Sequence, residues 1–120
     1  MPDVPSVLVV EDDPTVARLV AMTLRFGDLE VRAVGSAGEA RDLLPEGWDA
    51  IVLDINLPGT SGLELLRQLR EDLGIDTPVV MLSAQRHEHE VQRALAFEAT
   101  TYLTKPFAPD ELLEAVRAVV

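Results

Sequence analysis

Carboxylates and a single ammonium carry the first chemistry in this sequence. Glu11, Asp12 and Asp13 stand in a row directly after the apolar run SVLVV, and Asp54 ends the run AIVL. Lys105, in TTYLTKPF, is the chain's only lysine; the other nine basic residues are arginines. Like charges a few ångströms apart raise one another's pKa unless a cation intervenes. Two or three carboxylates with a carbonyl and water suit a hard divalent ion, and a shallow site with few protein ligands suits Mg2+ better than Ca2+. Asp13 reads as a helix cap, because aspartate directly before Pro14 is a common helix start. Glu11 and Asp12 are left as the functional pair. Asp54 follows four apolar residues, where an unpaired carboxylate would be costly. It reads either as a cap of the turn NLPGTSG or as a nucleophile or ligand held against a metal and a lysine.

The elements that must position these residues alternate regularly. SVLVV, LEVRAV, DAIVLD, TPVVMLSA and TTYLT read as five strands. PTVARLVAMTLRF reads as a helix through Val16, Leu19, Val20 and Leu24, and SAGEARDLL as a second, with Ser36 and Glu39 spaced for a capping box. SGLELLRQLRED carries a second such box, Ser61 and Glu64, with Leu63, Leu66 and Leu69 on its apolar face. RHEHEVQRALAF is a helix with Val91, Ala94 and Leu95 inward, and PDELLEAVRAVV is the last. Five β-α units with apolar strands imply a parallel sheet covered on both faces. Right-handed crossovers favour a doubly wound α/β fold of order 2-1-3-4-5, with no linker or repeat dividing residues 1–120, so one domain is expected.

Functional groups in such folds gather at the carboxyl ends of the strands. Strand 1 ends in Glu11 and Asp12, strand 3 in Asp54 followed by Asn56, strand 4 in Ser83 and Ala84, and strand 5 in Thr104 and Lys105 followed by Pro106. Four motifs in this order, LVVEDD, IVLDINLPGTSG, VVMLSA and YLTKPF, make the whole chain resemble the receiver domain of bacterial two-component response regulators, a flavodoxin-like fold.

The resemblance implies that Asp54 is a phosphoacceptor attacking a phosphohistidine of a sensor histidine kinase or phosphotransfer protein. It implies Mg2+ on the Asp12 and Asp54 carboxylates and the Asn56 backbone carbonyl, with Glu11 acting largely through metal-bound water. Lys105 would reach Asp54 and then a phosphoryl oxygen, a task suited to a compact point charge on a flexible stem. The sequence permits a cis Lys105–Pro106 bond, which would set the ammonium in the pocket. Ser83 would bond the phosphoryl group, Ala84 would leave room beside it, and Tyr102 would turn inward as a reporter. The output would be a shift of the face made by helix 4, strand 5 and helix 5 toward a protein target or output domain.

The sequence also departs from the family's pattern. Thr100, Thr101 and Ala115 stand where regulators with winged-helix outputs commonly carry the charges of a dimer face, which argues against that dimer and against that output class; a phosphorylation-dependent homodimer stays open. Glu98 replaces a frequent glycine, so a different end to helix 4 is expected. In HEHE, His87 to Glu90, residues two apart do not share a helix face, so this run reads as solvated surface. Trp48 reads as packing. Two rival functions are a phosphate-independent receiver-like binding module and an aspartyl-phosphate hydrolase. The hydrolase usually wants an acid where Asn56 stands.

Composition sets the outer bounds. A net charge of −11 argues against direct nucleic-acid binding by this domain. No cysteine means no disulfide or thiolate metal site. Short apolar runs and the lack of a signal-like N-terminus point to a cytoplasmic protein without a membrane span. Ending at Val120 in an apolar helix, the chain reads as a stand-alone receiver or a piece of a longer regulator.

Overall fold

A computed structural model describes residues 4–84 and 88–120. The elements run β1 (Ser6–Val10), α1 (Pro14–Phe26), β2 (Glu30–Val34), α2 (Ala37–Leu43), β3 (Ala50–Asp54), α3 (Gly62–Arg67), β4 (Val79–Ser83), α4 (Glu88–Ala96), β5 (Thr101–Thr104) and α5 (Pro109–Arg117). All four strand pairings are parallel, and the order is β2-β1-β3-β4-β5, as expected.

Strand residues alternate between the faces of the sheet, which divides the core in two. Val7, Val9, Ala50, Val52, Val80 and Leu82 pack with Val20 and Leu24 of α1 and Leu112 and Val116 of α5. Leu8, Val10, Ile51, Leu53, Val79 and Met81 pack against α2, α3 and Ala94 of α4. The central strands β3 and β4 are buried throughout, whereas β2 at the edge is largely exposed, so the expectation of apolar strands on both faces fails there.

Two residues assigned to inward stripes point outward. Leu19 is 48% exposed and Leu95 is 58% exposed, while Val20, Val91 and Ala94 are buried. In each pair of adjacent leucine and inward neighbour, the helix can turn only one of them fully onto the sheet. Trp48 packs on the α2–α3 side of the core, its indole N–H donating to the Leu43 carbonyl at 2.8 Å.

Of the two expected capping boxes the first forms by its N-cap half, whereas at the second Ser61 caps the residue before Glu64 instead. The Ser36 hydroxyl accepts from the Glu39 N–H (3.2 Å) and the Ser61 hydroxyl from the Leu63 N–H (3.1 Å). Glu64 turns away to Arg67, at 2.8 Å. After Arg67 the α3 helix widens into a π turn over Gln68–Asp72, closed by the Leu73 N–H on the Gln68 carbonyl. Helix α4 does not end differently for lack of glycine: Glu98 itself takes φ +60°. Its N–H bonds the Leu95 carbonyl (3.0 Å) and the Ala99 N–H bonds the Ala94 carbonyl (2.9 Å), the pair of bonds that closes a helix through a left-handed residue. The chain accepts the backbone cost of a side chain at that angle.

Candidate functional site

Parallel pairing carries each site residue to the same edge. Beyond the strands proper, the Glu11 N–H bonds the Val34 carbonyl (3.0 Å), the Ile55 N–H the Leu82 carbonyl (2.9 Å) and the Lys105 N–H the Ser83 carbonyl (2.6 Å). These bonds extend the ladder and fix the backbone around Glu11, Asp54 and Lys105. Gly62 brings α3 close: its N–H bonds the Ile55 carbonyl (2.8 Å), and a Cβ there would overlap the Asp54 carbonyl. That requirement for glycine gave no signal in the sequence.

Strand alternation then sorts the side chains. Asp54 continues the series Ala50 and Val52, on the α1–α5 side, and Lys105 and Glu11 continue Leu103 and Val9 on that side. Tyr102 packs with Met81 and Val79 on the side of α4.

Glu11 and Asp54 are buried, each 2% exposed, and Asp12 is exposed. Lys105 bridges the two buried acids, and it lies nearer the less expected one. Its Nζ is 2.6 Å from Glu11 Oε1 and 3.3 Å from Asp54 Oδ2. Sequence reasoning paired Lys105 with Asp54 and missed Glu11, whose extra methylene over aspartate lengthens its reach. Burial pushes the Glu11 carboxyl above its ordinary pKa, and the neighbouring Asp54 adds to this against the pull of Lys105. Burial works against the Lys105 ammonium, but its bond to Glu11 and the charge of Asp54 outweigh it and hold its pKa high. Backbone also reaches the two buried acids: the Asn56 N–H lies 3.3 Å from Asp54 Oδ1 and the Asp13 N–H 3.3 Å from Glu11 Oε2.

Carboxylate oxygens of Glu11, Asp12 and Asp54 all lie within 4.8 Å of one another. Three carboxylates against one ammonium leave two formal negative charges, which suits a divalent cation. Asp13 stays out of this group and caps α1, its Oδ1 accepting from the Thr15 N–H at 2.9 Å. Asn56 and Ala84 are exposed beside the pocket, Ser83 is buried at the end of β4, and Tyr102 is half-buried in β5 opposite Met81. The Lys105–Pro106 peptide is cis. His87 of the HEHE run lies outside the described residues, and His89 is exposed.

The chain is similar to known proteins in sequence and in fold. Residues 7–117 match the model of the response regulator receiver domain. The DNA-binding response regulator MtrA of Mycolicibacterium smegmatis is 38% identical over 116 residues, covering 93% of this chain and 49% of that protein. The phosphate regulon transcriptional regulatory protein PhoB of Escherichia coli is 38% identical over 116 residues, covering 95% of this chain and 51% of PhoB. The chain thus spans about half the length of the curated relatives it matches. Among solved structures, the chemotaxis response regulator CheY4 of Vibrio cholerae superposes with a TM-score of 0.89 at 29% identity, covering 98% of this chain and all of CheY4. A regulator from Chloroflexus aurantiacus gives 0.89 at 34% identity, with 98% of each chain covered. An acidic pocket crossed by one lysine, on a 2-1-3-4-5 sheet and with this family match over nearly its whole length, makes the chain a member of the response regulator receiver domain family, a regulatory domain of two-component systems.

Proposed function

We propose that residues 1–120 form one receiver unit that takes a phosphoryl group onto Asp54 from a phosphohistidine of a sensor kinase or phosphotransfer protein. The observation that carries this reading is the pocket itself: a buried Asp54 carboxylate with an ammonium 3.3 Å away and two further acids beside it. One Asp54 oxygen forms the bond to phosphorus as the phosphorus–nitrogen bond of the donor breaks, and the imidazole nitrogen keeps the electron pair. Glu11, Asp12, Asp54 and the Asn56 backbone carbonyl would hold Mg2+, which supplies charge neutralisation to the phosphoryl oxygens when bound. Lys105 passes from its carboxylates to a phosphoryl oxygen, a shift its flexible stem allows. Ser83 donates its hydroxyl to another oxygen, with Ala84 leaving space, and Tyr102 follows on the α4 side. The face of α4, β5 and α5 is the output, and the same residues support slow self-dephosphorylation.

The names of MtrA and PhoB support a transcriptional output for a longer cytoplasmic protein containing this chain, with DNA contacts made outside it. The acid-poor strand start, Thr100 and Thr101, still argues for a dimer face without the usual charge pairs.

Incubation with a small phosphodonor and Mg2+ should give an acid-stable, hydroxylamine-labile acyl phosphate, absent in Asp54→Asn. Labelling of that variant at the normal rate would overturn the assignment, and phosphate-independent function would follow if neither protein is labelled.

A further inference from the structure

Arg67 and Arg70 stand three residues apart, on either side of the point where α3 widens into the π turn, yet they serve unlike partners. Arg67 binds three acids at the surface, Glu64, Glu71 and Asp72, at 2.8 to 3.3 Å. Arg70 donates instead to backbone. Its Nη1 bonds the Ile75 and Thr77 carbonyls (2.7 and 2.8 Å), its Nη2 the Glu98 carbonyl (2.9 Å) and its Nε the Phe97 carbonyl (3.3 Å). The first two carbonyls precede β4, and the last two follow α4.

A helix ends with carbonyls that lack partners within it, at the negative end of its dipole. A guanidinium is a flat fork of donors fitted to meet them, whereas an ammonium is a single point. We propose that Arg70 is a positioning residue for α4: it anchors the helix's C-terminal end to the segment before β4, so that switching moves α4 at its N-terminal end. The second half of this statement rests on the phosphoacceptor reading above; the anchor does not.

Three features support the anchor. The left-handed Glu98 turn presents the Phe97 and Glu98 carbonyls in succession to one side chain. Among the described residues of α4, Val91 and Ala94 are buried in the core while Leu95 is mostly exposed, and just beyond the helix Phe97 and Ala99 pack there too, so Arg70 adds backbone bonds to a small apolar contact. Burial works against the Arg70 charge, with Glu98 and Asp76 opposing that loss. The N-terminal end of α4, in contrast, follows Ser83 by only a few residues.

Hydrogen exchange and amide NMR on wild type, Arg70→Met and Arg70→Lys test this. In unliganded protein, the Phe97, Glu98 and Ala99 amides should exchange about tenfold faster or more in Arg70→Met. Amides of β1 and β3, which report global unfolding, should change far less. Arg70→Lys keeps the charge and should recover only part of the protection. An equal rise throughout the chain, or none at residues 97–99, overturns the anchor. With Mg2+ and beryllofluoride, wild-type shifts should concentrate at residues 88–92 and spare 96–99, and in Arg70→Met they should spread to 96–99. Wild-type shifts as large at 96–99 as at 88–92 overturn the pivot. A wild type blind to beryllofluoride removes the phosphoacceptor reading and the pivot together, while the unliganded exchange still decides the anchor.

Discussion

Lys105 lies between two buried carboxylates and rests more closely on Glu11 than on Asp54. Charge alone does not specify lysine there, since arginine serves everywhere else in the chain. The pocket holds a cation small enough to sit 2.6 Å from one acid and 3.3 Å from the other, and the proposed function asks that it also follow an incoming oxygen. A guanidinium would present two prongs where these carboxylates each offer one oxygen. Lys105→Arg should therefore label at least about tenfold more slowly with a small phosphodonor despite its retained charge. A wild-type rate would show that the pocket asks only for a positive charge. At this scale much was legible: Glu11, Asp12, Asp54 and Lys105 stood out by type and position. The Glu11–Lys105 contact was hidden because residues 94 positions apart meet only through the strand order.

Elements show where sequence reading falters. Five strands and five helices were readable because apolar runs of the central strands alternate with amphipathic segments. The π turn at Gln68–Asp72 was not, since Leu66 and Leu69 satisfy helical spacing whichever way the next turn closes. Leu19 and Leu95 were misassigned because a stripe of apolar residues does not say how far it wraps around the helix. Glu98 was read as a lost left-handed residue, but tertiary bonds from Arg70 and the two closing amides hold it in that conformation. Glu98→Gly should consequently stabilise the fold, by about 1 kcal/mol, because it relieves the steric cost while keeping every backbone bond. Urea denaturation measures this; a destabilised variant would mean that the Glu98 carboxylate supports Arg70 by more than the strain it costs.

Over the whole molecule the acids outnumber the bases by eleven, with a pI near 4.4. Self-repulsion of that size opposes compactness and is screened by salt. Raising NaCl from about 0.05 to about 0.5 M without divalent cations should move the urea midpoint upward; a fall would show that the surface pairs around Arg67 outweigh the repulsion. No helix among the described residues is long and apolar enough to cross a membrane. The ammonium that crosses the pocket has one further consequence, and it is practical. Lysine labelled with 15N at the ε position gives this chain a single side-chain resonance, needing no assignment. That lone signal would report, in one spectrum, the transfer of Lys105 from its carboxylates to whatever anion arrives.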